Sequence, residues 1–258
     1  MSVKQSSLSE IINTEHVLLG KAPQEYGDFF NHTVRSHRLL QSFVVTIKDE
    51  GWIFVSFLSH LKKHHLLAFL STIRLHHVQT VMNLRQVLES GANAAYALAN
   101  PNAEDFVLST PENLLDIPEK LKNKRYKWLE KNYPKGSKAI KAMKKQMQKS
   151  SHSNLVDTHR TFKYEEKEEY AQLKTPFFDI KKEFQIKADL WSIANIAMGL
   201  MDLFYGINEN YNRVTFSDSF VGELQALDKE NARLKKIMMD TPNFKRADRL
   251  ARKKAKQH

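Results

Sequence analysis

The 258 residues are 41% apolar and 27% charged with a formal net charge of +11, enough apolar material to bury a core and too much for a disordered chain. Glycine (8) and proline (7) are both scarce, which disfavours the many tight turns of a sandwich or barrel and favours helices. No cysteine is present, which excludes disulfide frameworks, thiolate metal sites and cysteine nucleophiles and suits a reducing compartment.

The opening MSVKQSSLSE lacks the apolar centre of a leader. The apolar stretch Trp52 to Ile73 is broken by His-Leu-Lys-Lys-His-His at 60–65, too polar for a bilayer span, so a soluble cytoplasmic chain with no membrane partner is expected. Residues 22–50 predict a helix: Pro23 suits a first turn, Phe29, Val34, Leu40, Phe43 and Ile47 recur at helical spacing, and Gly51 ends it. From Trp52 to Ala99 the pattern gives two helices or one bent one. Positions 66, 70, 73, 77, 81, 84, 88, 92 and 95 trace a 3.6-residue stripe, stopped at Asn100-Pro101. Residues 101–115 read as a loop.

Residues 116–149 predict two basic helices separated by Tyr133-Pro-Lys-Gly136, with Ser137 placed to cap the second and the Ser-Ser-His-Ser-Asn run at 150–154 breaking the pattern. In 155–180, Thr161 to Tyr164 permits a short extended piece and the acidic run 165–169 reads as helical. Phe184, Ile186, Leu190, Ile193, Ala197, Leu200, Phe204 and Ile207 predict a long central helix over 181–210. Over 218–240, Phe220, Leu224, Leu227, Asn231, Leu234 and Met238 form a strict heptad, with Leu224, Asn231 and Met238 at a and the others at d. Either this helix pairs with a second copy or with a helical protein partner, or it packs on its own bundle. Basic-zipper proteins place their basic region before the zipper, whereas here it follows. The expected class is therefore an all-α multi-helix bundle over 1–215, a heptad helix over 216–240 and a basic flexible tail over 241–258.

The charge is uneven. Residues 119–149 carry twelve lysines and arginines against Glu119 and Glu130, a net +10. Residues 244–258 carry seven against Asp248, a net +6, and the rest of the chain is slightly acidic. Such strips either bind a phosphate backbone, with little sequence discrimination, or serve as solvated, solubilising surface. The candidate contacts to RNA or another polyanion are Lys122, Lys124, Arg125, Lys127, Lys138, Lys141, Lys144 and Lys145, with Arg252, Lys253 and Lys254 in the tail.

Motifs for metal and nucleotide chemistry are missing. His60 and His64 have a spacing that can hold a metal, but residue 61 is leucine and His-Glu-x-x-His does not occur. Beside Lys62 and Lys63 the pair reads as amphipathic surface, as does His76/His77, and no metal or cofactor is expected. No Glu-x-x-His, phosphate-binding Gly loop or Gly-x-Ser-x-Gly elbow is present. The carboxylates at 165–169 and Glu104/Asp105 read as solvated. The polar set that conflicts with its surroundings is Arg85, Glu89, Asn93 and Tyr96, spaced along the margin of the apolar stripe. Arg85 and Glu89 either pair to fix helix register, or Arg85 faces a groove and reads a phosphate.

The stretch Asn83-Leu-Arg-Gln-Val-Leu-Glu-Ser-Gly-Ala-Asn-Ala-Ala-Tyr-Ala-Leu-Ala-Asn-Pro101 resembles a family of uncharacterised bacterial all-helical proteins related to the HEPN (higher eukaryotes and prokaryotes nucleotide-binding) superfamily. The similar layout continues through Ser150 to Asn154 into the long helix at 181–210. The resemblance implies a helical bundle that often dimerises and, in several members, a metal-independent ribonuclease of toxin or antiphage type. It would give Arg85 phosphorane stabilisation and His152 general acid or base work, with Glu89 as the third member of a rearranged site. The superfamily's arginine followed after four to six residues by histidine is met only by Arg252 and His258, in the tail. His152 otherwise reads as an ordinary residue of a polar turn.

Overall fold

The computed structural model describes residues 7–109, 115–116, 118–151, 163–166, 171–174, 176–180, 182–242 and 245. Among them the chain order is α1 (Leu8–Ser42), β1 (Val44–Ile47), α2 (Trp52–Ile73), α3 (His77–Ala99), β2 (Leu108–Ser109), β3 (Leu115–Asp116), α4 (Glu119–Asn132), α5 (Pro134–Ser151), β4 (Lys163–Glu166), β5 (Ala171–Lys174), α6 (Glu183–Tyr211), β6 (Val214–Phe216) and α7 (Phe220–Asp240). The architecture is an all-α bundle, and the strands form three two-stranded antiparallel pairs, β1 with β6, β2 with β3 and β4 with β5.

Several expected boundaries shift for local reasons. α1 starts at Leu8 because Ser7 and Glu10 form a reciprocal cap: Ser7 Oγ accepts from the Glu10 amide at 3.2 Å and the Ser7 amide donates to the Glu10 carboxylate at 2.8 Å. Pro23 thus lies inside the helix, not at its start. Four residues on, Gly27 takes φ +49°, ψ −123° and divides α1 into two segments, a conformation open to glycine at little cost. Residues 44–47 leave the helix. Val44, Val45, Thr46 and Ile47 are all β-branched and pair with Val214 to Phe216, which satisfies their backbone in the geometry they prefer. Pro134 opens α5, where its missing N–H costs nothing. Ser137 lies buried inside the helix rather than capping it, and α5 runs on to Ser151. Of the acidic run expected as helix, Glu165 and Glu166 belong to β4, while 167–169 lie outside the described residues.

α2 and α3 form an antiparallel hairpin turned at Leu75, whose φ is +61°. Segment 176–180 braces that turn: the Asp179 amide donates to the Leu75 carbonyl at 2.9 Å, its carboxylate accepts from the His77 amide at 2.5 Å, and Phe177 and Phe178 pack on His76. His77 Nδ1 also meets Asp189 of α6 at 3.0 Å.

α6 is the central element, packed on α1, α2, α3 and α7. Its length and apolarity would suffice to cross a membrane, with a mean hydropathy of 1.4 over 18 residues, and 56% of that window is buried inside the bundle, as a core helix requires. Close approach of α3 and α6 depends on Gly91, where a methyl group would stand 2.6 Å from a Leu200 methyl. Phe43, Phe54, Phe204, Phe216 and Phe220 then bring α2, α6, β6, the end of α1 and α7 together, with ring centroids 5.1–6.4 Å apart. Each fully buried ring contributes about 1.5–3 kcal/mol.

The heptad face of α7 is buried in this bundle. Phe220, Leu227, Leu234 and Met238 are buried and Leu224 is half-buried. Asn231 Oδ1 lies 3.3 Å from His32 Nε2 of α1, its Nδ2 donates to Asn195 Oδ1 of α6 at 2.8 Å, and its carbonyl accepts from Trp191 Nε1 at 3.0 Å. The residues expected to zip to another copy therefore hold α7 to α1 and α6, which corrects the oligomerisation reading and makes α7 a member of the bundle. The polar a position sets an intrachain register instead.

Candidate functional site

The polar line Arg85, Glu89, Asn93 and Tyr96 is where the basic hairpin α4–α5 docks on α3. Spacings of four, four and three residues keep these side chains along one face of α3, and each finds a partner. Arg85 Nε donates to Glu89 Oε1 at 3.2 Å. Lys144 Nζ of α5 reaches the same oxygen at 3.2 Å and donates to Tyr126 Oη at 2.9 Å. Arg125 Nε donates to Asn93 Oδ1 at 2.9 Å and its Nη1 to the Asp105 carbonyl at 2.7 Å, with the guanidinium over the Phe106 ring. Tyr96 Oη donates to Asp105 Oδ2 at 2.8 Å, and Lys124 Nζ to Asp105 Oδ1 at 2.5 Å. Buried Leu121, Leu129 and Ile140 lie beneath. Asp105, expected as a solvated carboxylate, is the hub of this contact.

The electrostatics match a docking role. Burial alone would raise the Glu89 carboxyl, but Lys144 and then Arg85 outweigh it and hold Glu89 below the ordinary carboxylate range. A carboxylate kept ionised between two cations suits an ion-pair lock and is a poor proton acceptor near neutrality. Burial pushes Tyr96 upward, aided by its hydrogen bond to Asp105, so it stays protonated as a donor. Of the expected catalytic trio, the structure brings Arg85 and Glu89 together and adds Lys144, while His152 lies outside the described residues.

The basic strip sorts into two groups. Arg125 is 4% exposed and tied to Asn93 and the Asp105 carbonyl, which removes it from the candidate polyanion contacts, and Lys144 and Lys124 hold Glu89 and Asp105. Lys122 and Lys141 are exposed, facing Glu119 at 3.7 Å and Glu130 at 2.7 Å. The second group, Lys127, Lys138 and Lys145, is exposed with no carboxylate partner among the described residues. Lys131 and Lys135 join it at the α4–α5 corner. These two are not among the contacts expected from the sequence, yet their place on either side of Pro134 makes them helix-end residues facing solvent. Arg252, Lys253 and Lys254 lie outside the described residues.

A groove of about 490 Å³ between α5, α6 and α7 is lined by Met143, Asn195, Gly199 and Leu224, and by the charged side chains Asp202, Asp228 and Lys229. With two carboxylates to one ammonium it differs in charge from the basic face. Comparison of the chain with protein-family models, with curated proteins and with solved structures finds no match, so its chemistry is read from its own residues.

Proposed function

We propose that the chain binds RNA through the solvent face of the α4–α5 hairpin, in the cytoplasm, reading the phosphate backbone rather than base sequence. The observation that supports this most is the exposed set Lys127, Lys131, Lys135, Lys138 and Lys145, which among the described residues has no carboxylate partner, on a hairpin fixed to the bundle by Arg125, Lys124 and Lys144. Lysine ammonium groups are point charges that gain affinity by releasing counterions from phosphates. Other polyanions share this chemistry. RNA is favoured by the HEPN-like stretch 83–101, and the all-α bundle is compatible with that relation at the level of fold class.

The test is anisotropy of a labelled mixed-sequence RNA with the native chain and with the triple variant Lys127→Glu/Lys131→Glu/Lys138→Glu, using the equally charged variant Lys21→Glu/Lys229→Glu/Lys236→Glu, at exposed positions of α1 and α7, as a control for net charge. The triple variant is expected to bind about tenfold more weakly or worse, with the control close to native. Equal affinity of the triple variant and the native chain would refute the interface. With EDTA present the RNA is expected to stay intact. Cleavage that Arg85→Ala abolishes would instead assign a metal-independent ribonuclease to this chain.

A further inference from the structure

His60 and His64 lie on α2, with His60 exposed and His64 half-buried. Their Nε2 atoms face each other at 3.1 Å. The opposite nitrogen of each ring is held from α3: His64 Nδ1 lies 2.7 Å from Asn83 Oδ1 and His60 Nδ1 lies 2.8 Å from Ser90 Oγ. We propose that this pair is a binding site for a transition-metal dication of the Cu²⁺, Ni²⁺ or Zn²⁺ class, with both Nε2 atoms as ligands.

Two features carry the inference. The first is separation. Two imidazole nitrogens each about 2.0–2.1 Å from one ion stand roughly 2.8–3.4 Å apart between a right angle and the tetrahedral angle, and 3.1 Å falls inside that range. The second is anchoring, because metal-binding histidines characteristically donate their other ring N–H to an acceptor that fixes tautomer and orientation. Asn83 Oδ1 is such an acceptor and requires the proton of His64 on Nδ1, which leaves Nε2 with its lone pair. Ser90 Oγ can donate or accept. Without metal it donates to His60 Nδ1, and His60 Nε2–H donates to His64 Nε2. On binding, the hydroxyl turns to accept, the His60 proton moves from Nε2 to Nδ1, and both Nε2 lone pairs face the ion with no net proton released.

Lys63 opposes a dication, whereas Lys62 is tied to the Gln41 carbonyl at 2.9 Å. Among the described residues no third histidine or carboxylate joins the pair. The remaining coordination positions therefore fall to water or a small ligand, and Cu²⁺ should bind tightest of the three. The second histidine pair offers a useful contrast: His37 and His65 are stacked with rings 3° apart, and His65 is wholly buried with Nε2 on the Ile193 carbonyl at 3.3 Å, which closes it to an ion.

The test is calorimetric titration of the EDTA-stripped full chain with NiCl₂ and ZnCl₂, and electron paramagnetic resonance with one equivalent of Cu²⁺, with folding checked by circular dichroism. One equivalent should bind to the native chain and to His76→Ala. It should be lost in His60→Ala and His64→Ala, together with the two-nitrogen hyperfine pattern of bound Cu²⁺. Asn83→Ala should weaken binding about 10–100-fold. No saturable binding by the native chain, or an equivalent retained in both histidine variants, would overturn the site, and unchanged affinity of Asn83→Ala would overturn the anchoring.

Discussion

Lowering the pH from about 7.5 to about 5 is expected to cost the folded chain about 2 kcal/mol through His65 alone. His65 is fully buried at the meeting of α1, α2 and α6. A relay fixes its tautomer: Gln41 Nε2 donates to His37 Nε2 at 3.4 Å, His37 Nδ1 to His65 Nδ1 at 3.0 Å, and His65 Nε2 to the Ile193 carbonyl at 3.3 Å. Burial, followed by the neighbouring His37, pushes its pKa down to about 3, against about 6.5 in an unfolded chain. As pH falls past the higher value the unfolded state takes up a proton that the folded state refuses, so this stability is whole above 6.5 and drains away toward about 3. At about pH 5 the unfolded ring is roughly 97% protonated, which corresponds to about 2 kcal/mol at 25 °C. His32 and His37 are also lowered, chiefly by burial, and add to the native chain's total. Urea denaturation at both pH values, on the native chain and on His65→Gln, isolates the His65 share. The variant should lose about 2 kcal/mol less than the native chain between the two conditions. Equal losses in the two proteins would refute the assignment of a neutral, buried ring.

Three further perturbations follow from the packing. Leu227→Ala and Leu234→Ala, which open cavities where α7 meets α1 and α6, should each cost about 2–5 kcal/mol, and sedimentation should show no change in oligomeric state; a dissociating dimer would contradict the intrachain docking. Gly91→Ala puts a methyl group 2.6 Å from Leu200 and should cost about 1–3 kcal/mol through overpacking, whereas an unchanged melting curve would show that α3 and α6 can separate freely. Arg125→Ala strips donors from Asn93 and the Asp105 carbonyl and should cost about 1–3 kcal/mol. Lys127→Ala, on the solvent face, should be neutral within about 0.5 kcal/mol; equal effects of the two would erase the distinction between docking and exposed cations.

Helices whose apolar period is long and uninterrupted were legible from the chain, as α3 and α6 illustrate, because burial on one side is written locally every three or four residues. Partners were not legible. Val44 and Ile47 fit a helical spacing as well as a strand, and what decides is pairing with Val214 to Phe216, far along the chain. The heptad of α7 was readable, yet the same Asn231 that would align a paired zipper binds His32 and Asn195 of its own chain. Spacing likewise foretold the Arg85–Glu89 pair but not Lys144, which arrives from another helix. At His60 and His64 the sequence supplied the four-residue step, while the Asn83 and Ser90 anchors depend on the α2–α3 hairpin.

Salt dependence is the most direct test of the proposed contact between the exposed lysines of α4 and α5 and RNA phosphates. Engagement of Lys127, Lys131, Lys135, Lys138 and Lys145 predicts that the logarithm of the association constant falls with the logarithm of salt concentration at a slope of about −3.5 on single-stranded RNA. In Lys127→Glu/Lys131→Glu/Lys138→Glu the slope should flatten by about 2. A slope near zero for the native chain, or the same slope in the triple variant, would contradict the claim.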